Sequence, residues 1–255
     1  MIIVFSGCGN TAAAAKALAA LTGDEMLRLT PAMLRADSPA PQLAASGYRV
    51  VWAFPTYSWG VPPIMRRFMR RVRLDGADKL SHFMLTTCGD DIGLCAAMWR
   101  KEMQRRGWRA VRAFSVQMPN TYVTMKGFDV DSVPVAEAKL AAMPARVAEI
   151  AAAMTEGPDM TVPGGMAWLK TRVVYPWFVR HSMSPHPFRH TDACTACGAC
   201  MRACPMANIS ADAQGRPVWA DDCAFCLACY HTCPHHAVAY GRTTDKKGQY
   251  HDSSL

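Results

Sequence analysis

Short apolar runs of strand length recur along the first part of the chain, and helix-like stretches separate most of them. The runs occupy residues 2–5, 25–29, 48–54, 82–87 and 111–116. Strands that alternate with helices lie parallel in one sheet, because each connecting helix carries the chain back across a face of the sheet. The pattern therefore predicts an α/β domain with a doubly wound, five-stranded parallel sheet.

A longer helix is predicted after the last of these runs. Apolar side chains there recur at steps of three and four residues: Leu140, Met143, Val147, Ile150 and Met154. This spacing places them on one face of a helix over residues 135–154. The predicted helix should bury that face against the sheet.

The composition changes after residue 156, where glycine and proline punctuate a stretch rich in aromatic and basic residues. These residues alternate along the chain: Trp168, Lys170, Arg172, Tyr175, Trp177, Phe178 and Arg180. We interpret residues 157–189 as an aromatic interdomain linker that packs one domain against the other. A segment that lies on a membrane surface is the alternative.

Eight of the eleven cysteines form two copies of the run C-x2-C-x2-C-x3-C-P. The first copy starts at Cys194 and the second at Cys223, so every ligand recurs 29 positions later (223 − 194). In bacterial ferredoxins this run binds 4Fe-4S clusters, and the fourth cysteine of each copy serves the other cluster. The sequence thus predicts two clusters, one on Cys194, Cys197, Cys200 and Cys233 and one on Cys204, Cys223, Cys226 and Cys229.

Two other metal sites fit this segment less well. Paired C-x2-C units also bind zinc, but two triplets followed by Cys-Pro disfavour it. Histidines near the motifs could replace cysteines as they do in Rieske centres: His190, His231, His235 and His236. Because eight cysteines already complete two clusters, we expect these histidines to be surface or outer-shell residues.

The loop after the first strand has the sequence Ser6-Gly7-Cys8-Gly9-Asn10-Thr11 and precedes an alanine-rich helix. Small residues at a helix N-terminus leave backbone amides open to an anion. The loop resembles the phosphate loop of flavodoxins, with cysteine at position 8 where threonine is usual. The resemblance implies non-covalent FMN, with phosphate held by the side chains of Ser6, Asn10 and Thr11 and the amides of Cys8 and Gly9.

Two further loops follow the third and fourth predicted strands, where flavodoxins place the segments that enclose the isoalloxazine ring. By this resemblance the cofactor-binding residues also include Pro55, Thr56, Tyr57, Ser58, Trp59, Gly60, Thr87, Cys88, Gly89, Asp90 and Gly93. Tyr57 or Trp59 is expected to stack on the ring, with core packing as the alternative for each. The peptide at Gly60 is expected to turn towards flavin N5, and Cys8 and Cys88 are interpreted as small fillers rather than reactive thiols.

The net charge of +8 is unevenly distributed. Residues 1–189 contain 23 Lys and Arg against 14 Asp and Glu (+9), whereas residues 190–240 contain 2 against 4 (−2). No nucleic-acid motif accompanies the basic runs. We therefore expect solvated helix faces and an acidic redox partner protein, which could be the chain's own C-terminal part, and no nucleic acid.

The complete layout resembles a family of flavodoxin–ferredoxin fusion proteins found largely in anaerobes. It implies residues 1–156 as a flavodoxin-like FMN-binding domain, 190–240 as a small α+β bacterial ferredoxin-like domain, and 241–255 as a polar tail. The implied function is low-potential electron transfer between FMN and two 4Fe-4S clusters. Without a leader or an apolar run of spanning length, the sequence predicts a cytoplasmic protein with no membrane span.

Two alternative functions stay open from sequence alone. In the first, residues 119–127 cap the flavin of an FMN-dependent reductase, and Tyr122 or Lys126 donates a proton to its small-molecule substrate. In the second, the clusters sense redox state in a regulatory protein. A pure electron carrier, rather than an enzyme, is the preferred interpretation.

Overall fold

The computed structural model describes residues 1–45, 47–162 and 164–250. Its first part contains the strands β1 (Ile2–Val4), β2 (Met26–Arg28), β3 (Gln42–Ala44), β4 (Arg49–Pro55), β5 (Arg73–Asp75), β6 (Ser81–Cys88) and β7 (Arg109–Gln117). Five of these strands form one parallel sheet in the order β2-β1-β4-β6-β7. Counted within this sheet, the order is 2-1-3-4-5, the flavodoxin-like doubly wound arrangement. The predicted fold class is confirmed.

Helices cover both faces of the sheet: α1 (Asn10–Thr22), α2 (Pro31–Leu34), α3 (Pro63–Arg71), α4 (Cys95–Arg105) and α5 (Val133–Ala153), with a 3-10 turn at Ala77–Lys79. Successive side chains of β1 point to opposite faces, as a strand requires. Ile3 packs with α3 and α4 in one core, and Ile2 and Val4 pack with α1 and α5 in the other. The predicted helix over residues 135–154 is α5, and its Val147 and Ile150 are fully buried.

Most basic side chains of α3 and α4 bind groups of their own domain. Arg66, Arg70 and Arg105 all contact the buried carboxylate of Glu102, at 2.9, 2.7 and 2.8 Å. Burial alone would raise the pKa of Glu102, but hydrogen bonds from the surrounding arginines outweigh it and lower the pKa to about 2. One arginine reaches the cysteine-rich part, since Arg67 pairs with Asp222 at 3.0 Å. The basic runs therefore stabilise the α/β domain more than they create an open surface.

The aromatic segment forms a continuous helical stretch of α6 (Ala167–Leu169), a π-helical turn (Lys170–Val174) and α7 (Tyr175–His181). Tyr175 and Phe178 are buried, whereas Trp168 and Trp177 are exposed. Phe178 contacts the rings of Tyr122 in the first domain and Phe225 in the cysteine-rich part. Tyr175 contacts the first domain at Gly60 and Val61.

The cysteine-rich part repeats its structure as well as its sequence. It comprises β8 (Phe188–His190), α8 (Ala199–Ala203), β9 (Ile209–Ala211), β10 (Pro217–Trp219), α9 (Ala228–His231) and β11 (Val238–Tyr240). β10 and β11 begin 29 residues after β8 and β9 (217 − 188 and 238 − 209). β8 pairs with β11 and β9 pairs with β10, both antiparallel. Each pair thus joins one strand from each copy.

The residues after β11 return to the α/β domain. The Lys247 ammonium donates to the backbone carbonyls of Met125 and Phe128, and the Gly248 amide donates to Asp129 Oδ1 at 3.0 Å. Residues 241–250 of the predicted polar tail therefore hold a loop of the first domain, and residues 251–255 lie outside the described residues. None of the helices that the structure describes has the length and apolar character needed to cross a membrane.

Candidate functional site

A cavity of about 270 Å³ lies at the carboxyl ends of β1, β4, β6 and β7. Ligands of doubly wound sheets bind at this edge. The loops that follow these four strands form most of its wall. Side chains of α7 and of the second cysteine motif complete the wall: Trp177, Phe178, Phe225, Cys226 and Leu227. The cavity is therefore shared between the two domains.

Most of the predicted cofactor-binding residues line this cavity. They are Ser6, Cys8, Asn10, Thr11, Pro55, Thr56, Tyr57, Ser58, Trp59, Thr87, Cys88, Gly89 and Asp90. Gly9, Gly60 and Gly93 do not line it. Of the two candidate proton donors, Tyr122 lines the cavity, whereas Lys126 is exposed outside it.

The first loop has the features of an anion site. Gly9 adopts a φ of 97° immediately before α1, a conformation that favours glycine. The amides of residues 7–11 donate no hydrogen bond within the described part of the chain, and no acidic residue lies in the first turn of α1. These open amides lie at the positive end of the helix dipole and suit a phosphate.

Only some of the hydrogen-bonding groups in the side chains of this loop have partners. Asn10 Nδ2 donates to the Pro119 carbonyl at 2.8 Å, but its buried Oδ1 has no partner among the described residues. The Thr11 and Thr87 hydroxyls are 2.7 Å apart, and Ser6 Oγ accepts from the Ala12 amide. A buried acceptor without a donor is costly unless a ligand or a water satisfies it. The loop therefore fits a polar ligand in the cavity.

The second loop forms a tight turn from Tyr57 to Gly60. Their backbones exchange two hydrogen bonds of 2.9 Å, and the residues between them, Ser58 and Trp59, adopt φ values of 43° and 62°. Left-handed backbone at non-glycine residues carries a steric cost and is typical of functional sites. A Cβ at Gly60 would lie 2.5 Å from the Tyr175 ring, so this glycine allows α7 to pack closely.

Trp59 and the third loop are connected through one lysine. The Lys170 ammonium lies 4.9 Å from the centre of the Trp59 ring and 2.6 Å from Asp91 Oδ2. A Cβ at Gly93 would lie 2.8 Å from Trp59 Cβ, so the glycine at position 93 allows the tryptophan to pack against the backbone of the third loop.

Burial raises the pKa of both the Cys8 and the Cys88 thiol to about 12. Both are therefore protonated thiols at neutral pH and not reactive thiolates.

The segment after β7 covers one side of the cavity. The lining residues of this segment include Tyr122, Met125 and Phe128. The centre of the Tyr122 ring lies 5.4 Å from that of Phe128 and 5.7 Å from that of Phe178. Burial raises the pKa of the Tyr122 hydroxyl, which is therefore a neutral donor. The carbonyl of Thr121 lies 2.8 Å from Nε2 of His231 in α9. The cysteine-rich part thus supports this segment directly.

The two cysteine motifs share an unusual backbone. Ala196, Gly198 and Ala207 have positive φ in the first copy. The residues 29 positions later also have positive φ: Phe225, Leu227 and His236. Alternation of left- and right-handed residues turns successive amides towards one point, which suits an anionic group. In both copies the motif is therefore shaped around the group that the cysteines bind.

Cysteines of the two motifs lie close enough to influence one another. Cys200 interacts electrostatically with Cys233 and Cys194, and Cys229 interacts with Cys223, Cys204 and Cys200. None of the eleven cysteines forms a disulfide. Backbone amides donate to three of the sulfurs at 3.2 to 3.3 Å: those of Cys204, Cys223 and Cys233. Such bonds stabilise the thiolate charge of a bound cluster.

No three His, Cys, Asp or Glu side chains in residues 1–45, 47–162 and 164–250 converge closely enough to hold a single metal ion. A cubane differs from a single ion, because each of its four thiolates binds a different iron atom.

The second motif touches the proposed phosphate loop. A Cβ at Gly7 would lie 2.6 Å from Cys226 Cβ, and the Cys8 thiol donates to the Cys226 carbonyl at 3.1 Å. The buried Tyr57 hydroxyl has no hydrogen-bond partner within the described ranges. Burial, and then the nearby thiols of Cys226 and Cys8, raise the pKa of Tyr57 well above its usual value. One predicted cluster ligand is thus in van der Waals contact with the cavity loop.

Comparison with known proteins assigns the C-terminal part. Residues 186–234 match the model of the 4Fe-4S dicluster domain family. This part of the chain is an iron–sulfur module. No curated protein matches the chain.

Two solved structures are similar to more than half of the chain. The Trp repressor binding protein from Bacillus subtilis is 13% identical, with 57% of this chain and 97% of that chain covered and a TM-score of 0.36. The azoreductase AzrA is 11% identical, with coverages of 59% and 99% and the same TM-score of 0.36. The fold class itself rests on the strand order described above.

The sequence did not indicate several residues of the cavity wall. Gly7, Asp91, Met118, Phe128, Val174 and Leu227 belong to this group. Phe128 directly follows the predicted capping segment, and Asp91 lies within a predicted loop. For Phe225 and Leu227 the sequence offers no signal, because it does not show which side of the cysteine module faces the sheet.

Proposed function

We propose that the chain transfers electrons between an FMN in the cavity and two 4Fe-4S clusters of its C-terminal module. The observation that carries this proposal is the contact between Gly7 and Cys226, which brings a cluster ligand into the cavity wall. Flavin exchanges one or two electrons whereas each cluster exchanges one, so the pair can connect two-electron and one-electron chemistry. Fusion in one chain keeps the two sites at high effective concentration.

The residues of the cavity have separate tasks in this proposal. The open amides of residues 7–11 and the unpaired Oδ1 of Asn10 would bind the phosphate and the polar chain of FMN. Tyr57 and Trp59 would border the ring from the second loop. Trp177 and Phe178 would border the bound flavin from α7.

The two ends of the iron–sulfur module differ in access. Cys197 is exposed, so the first cluster would exchange electrons with an external redox protein. Cys226 lines the cavity, so the second cluster would exchange electrons with the flavin. The module would therefore pass electrons between an external protein at the first cluster and the flavin at the second cluster.

Stopped-flow spectroscopy tests the proposal on the intact chain purified without oxygen. Flavin and iron assays come first, and FMN with about eight iron atoms per chain is the expected content. The clusters are then reduced rapidly and the flavin absorbance is followed at several protein concentrations. Transfer within one chain gives a rate that does not change on dilution. A rate proportional to concentration, or recovery of FAD, would contradict the proposal.

A flavin-dependent reductase fed by the clusters is the second candidate. The neutral Tyr122 hydroxyl in the cavity wall favours it, because reduction at a flavin commonly needs a proton donor nearby. Turnover of a small-molecule acceptor that falls at least tenfold in Tyr122→Phe but not in Lys126→Met would support this candidate. If both variants turn over the acceptor as fast as the wild type, the reductase candidate is excluded and electron transfer is the function.

A further inference from the structure

We infer that the outer face of the helical segment 166–181 is a contact surface for an anionic lipid bilayer. Large apolar side chains on this face are 43 to 72% exposed: Met166, Trp168, Leu169, Val173 and Trp177. Met166, Leu169, Val173 and Trp177 are spaced three or four residues apart along the segment and are all exposed, and we call these four residues the apolar stripe. This inference is independent of the proposed electron transfer.

The opposite face of the same segment is firmly attached to the α/β domain. The Tyr175 hydroxyl donates a hydrogen bond of 2.6 Å to the Val61 carbonyl, and the Thr171 hydroxyl donates one of 2.9 Å to the Trp59 carbonyl. Lys170 binds Asp91 at 2.6 Å, which fixes the start of the π-helical turn. Because these contacts fix the orientation of the helix, the apolar stripe cannot turn inward. It is a preformed outer surface.

The charged side chains of the segment itself are of one sign. Residues 160–191 contain no Asp or Glu. Arg172 and Arg180 are exposed and have neither an ion-pair nor a hydrogen-bond partner within the residues that the structure describes. An apolar stripe with tryptophan, flanked by unpaired arginines, matches the composition of helices that lie in the interface of anionic membranes. The complementary surface is negatively charged and has an apolar layer beneath the charge.

The arrangement argues against pairing of this surface with a second copy. A two-fold contact through the stripe would bring Arg172 and Arg180 of both chains together without an acidic residue of the segment between them. The overall charge of +8 adds to this repulsion. A bilayer with anionic headgroups satisfies both features at once, because the arginines remain at the headgroups while the apolar side chains enter the acyl boundary.

The surface adjoins the opening of the cavity. Trp177 and Phe128 both line the cavity and are themselves 53 and 40% exposed, so they lie at its rim. A chain seated on a bilayer through this face would turn the opening towards the lipid. The cavity would then be accessible to a reactant dissolved in the membrane.

Vesicle binding of the intact holoprotein tests the inference. The probes are vesicles of phosphatidylcholine alone and of phosphatidylcholine with phosphatidylglycerol, and the readout is the partition coefficient from flotation. We expect binding to the anionic vesicles, weakened by salt. Trp168→Ser should weaken it about tenfold, and Arg172→Glu should weaken it roughly 25-fold, at about fivefold for each unit of charge. Quenching of wild-type tryptophan emission by brominated lipids supplies a readout without a variant.

The control pair lies in α1 and β2. Leu21→Ser and Arg28→Glu change an exposed apolar and an exposed basic side chain outside the helical segment, and both should bind vesicles like the wild type. Equal loss in the control and test variants would mean that general positive charge causes binding, which would overturn the inference. Absence of binding and quenching would also overturn it. So would a dimer in solution that Trp168→Ser dissociates, because the stripe would then be an interface between copies.

Discussion

The two cysteine motifs are copies in sequence and backbone, yet their surroundings differ sharply. Cys197 is exposed, and the backbone amide of Ala199 lowers the pKa of its thiol. Cys226, 29 positions later, lines the cavity, and burial raises the pKa of its thiol. Duplication therefore determines how a cluster is bound, whereas the neighbouring domain determines what the cluster can reach. Solvent access and hydrogen bonds are also the factors that tune cluster potentials.

The largest effect should come from the crossed ligand of the inner site. Cys204→Ser removes the cysteine of the first motif that is predicted to serve the second cluster, so the iron content should fall from about eight to about four per chain. After rapid reduction of the remaining cluster, electrons should then no longer reach the flavin. Cys95→Ser is the matched control, since Cys95 is buried at the start of α4 and belongs to neither motif. Equal iron in both variants would refute the ligand assignment.

The second prediction concerns removal of iron by a chelator. The exposed site around Cys197 should lose its iron before the site around Cys226, because chelators reach buried sites only through local opening. Release followed by absorbance should show two phases, each with about half of the iron. In Cys204→Ser the slow phase should be absent. A single phase in the wild type would show that the two sites are equally accessible.

A substitution at Gly7 should disturb the inner site alone. The new methyl group of Gly7→Ala would lie 2.6 Å from Cys226 Cβ and 2.9 Å from its carbonyl oxygen, so the loops must separate. Overpacking of this kind costs about 1–3 kcal/mol of unfolding free energy. Transfer from clusters to flavin should slow as well.

The control for this change is Gly165→Ala, because a Cβ at Gly165 meets no atom within 4 Å. Its unfolding free energy should stay within about 0.5 kcal/mol of the wild type. Anaerobic denaturant titration measures both variants. Equal destabilisation would show that contact with Cys226 is not the cause.

The smallest effect should come from the ion pair between the domains. The side chains of Arg67 and Asp222 are 31 and 37% exposed. Arg67→Gln should therefore lower the free energy of unfolding by less than about 1 kcal/mol. Arg100→Gln breaks a pair of similar exposure within the first domain, Arg100 with Asp159, and should cost about as much. Salt should weaken both pairs without separating the domains, because the contact at Gly7 and Cys226 is not ionic. A transfer rate that falls steeply with salt would contradict this expectation.

The sheet could be predicted from sequence because its strands β1, β4 and β6 are almost entirely buried and therefore read as apolar runs. β3 and β5 were missed, since each is a three-residue strand with one buried side chain. The duplication of the iron–sulfur module was visible in the cysteine spacing alone. Its swapped strand pairing was not, because spacing carries no information about which copies pair.

The cavity could be predicted only from the side of the first domain. The loops after β1, β4 and β6 carry the residues that the resemblance indicates, and the structure brings them together. The contact of Cys8 with Cys226 joins residues 218 positions apart, and no local pattern encodes such a pair. Gly60 illustrates the opposite case: its lack of a side chain is visible in sequence, but the Tyr175 ring that requires it is not.

The bonds from Lys247 and Gly248 to residues 125–129 also set an order of assembly. Lys247 is synthesised 122 residues after Met125, and Leu227 completes the cavity wall only after the rest of the lining has been made. A domain that folds as it leaves the ribosome has this side of its cavity uncovered during that interval. The flavin that we propose for the cavity could therefore enter through this side before the iron–sulfur module arrives.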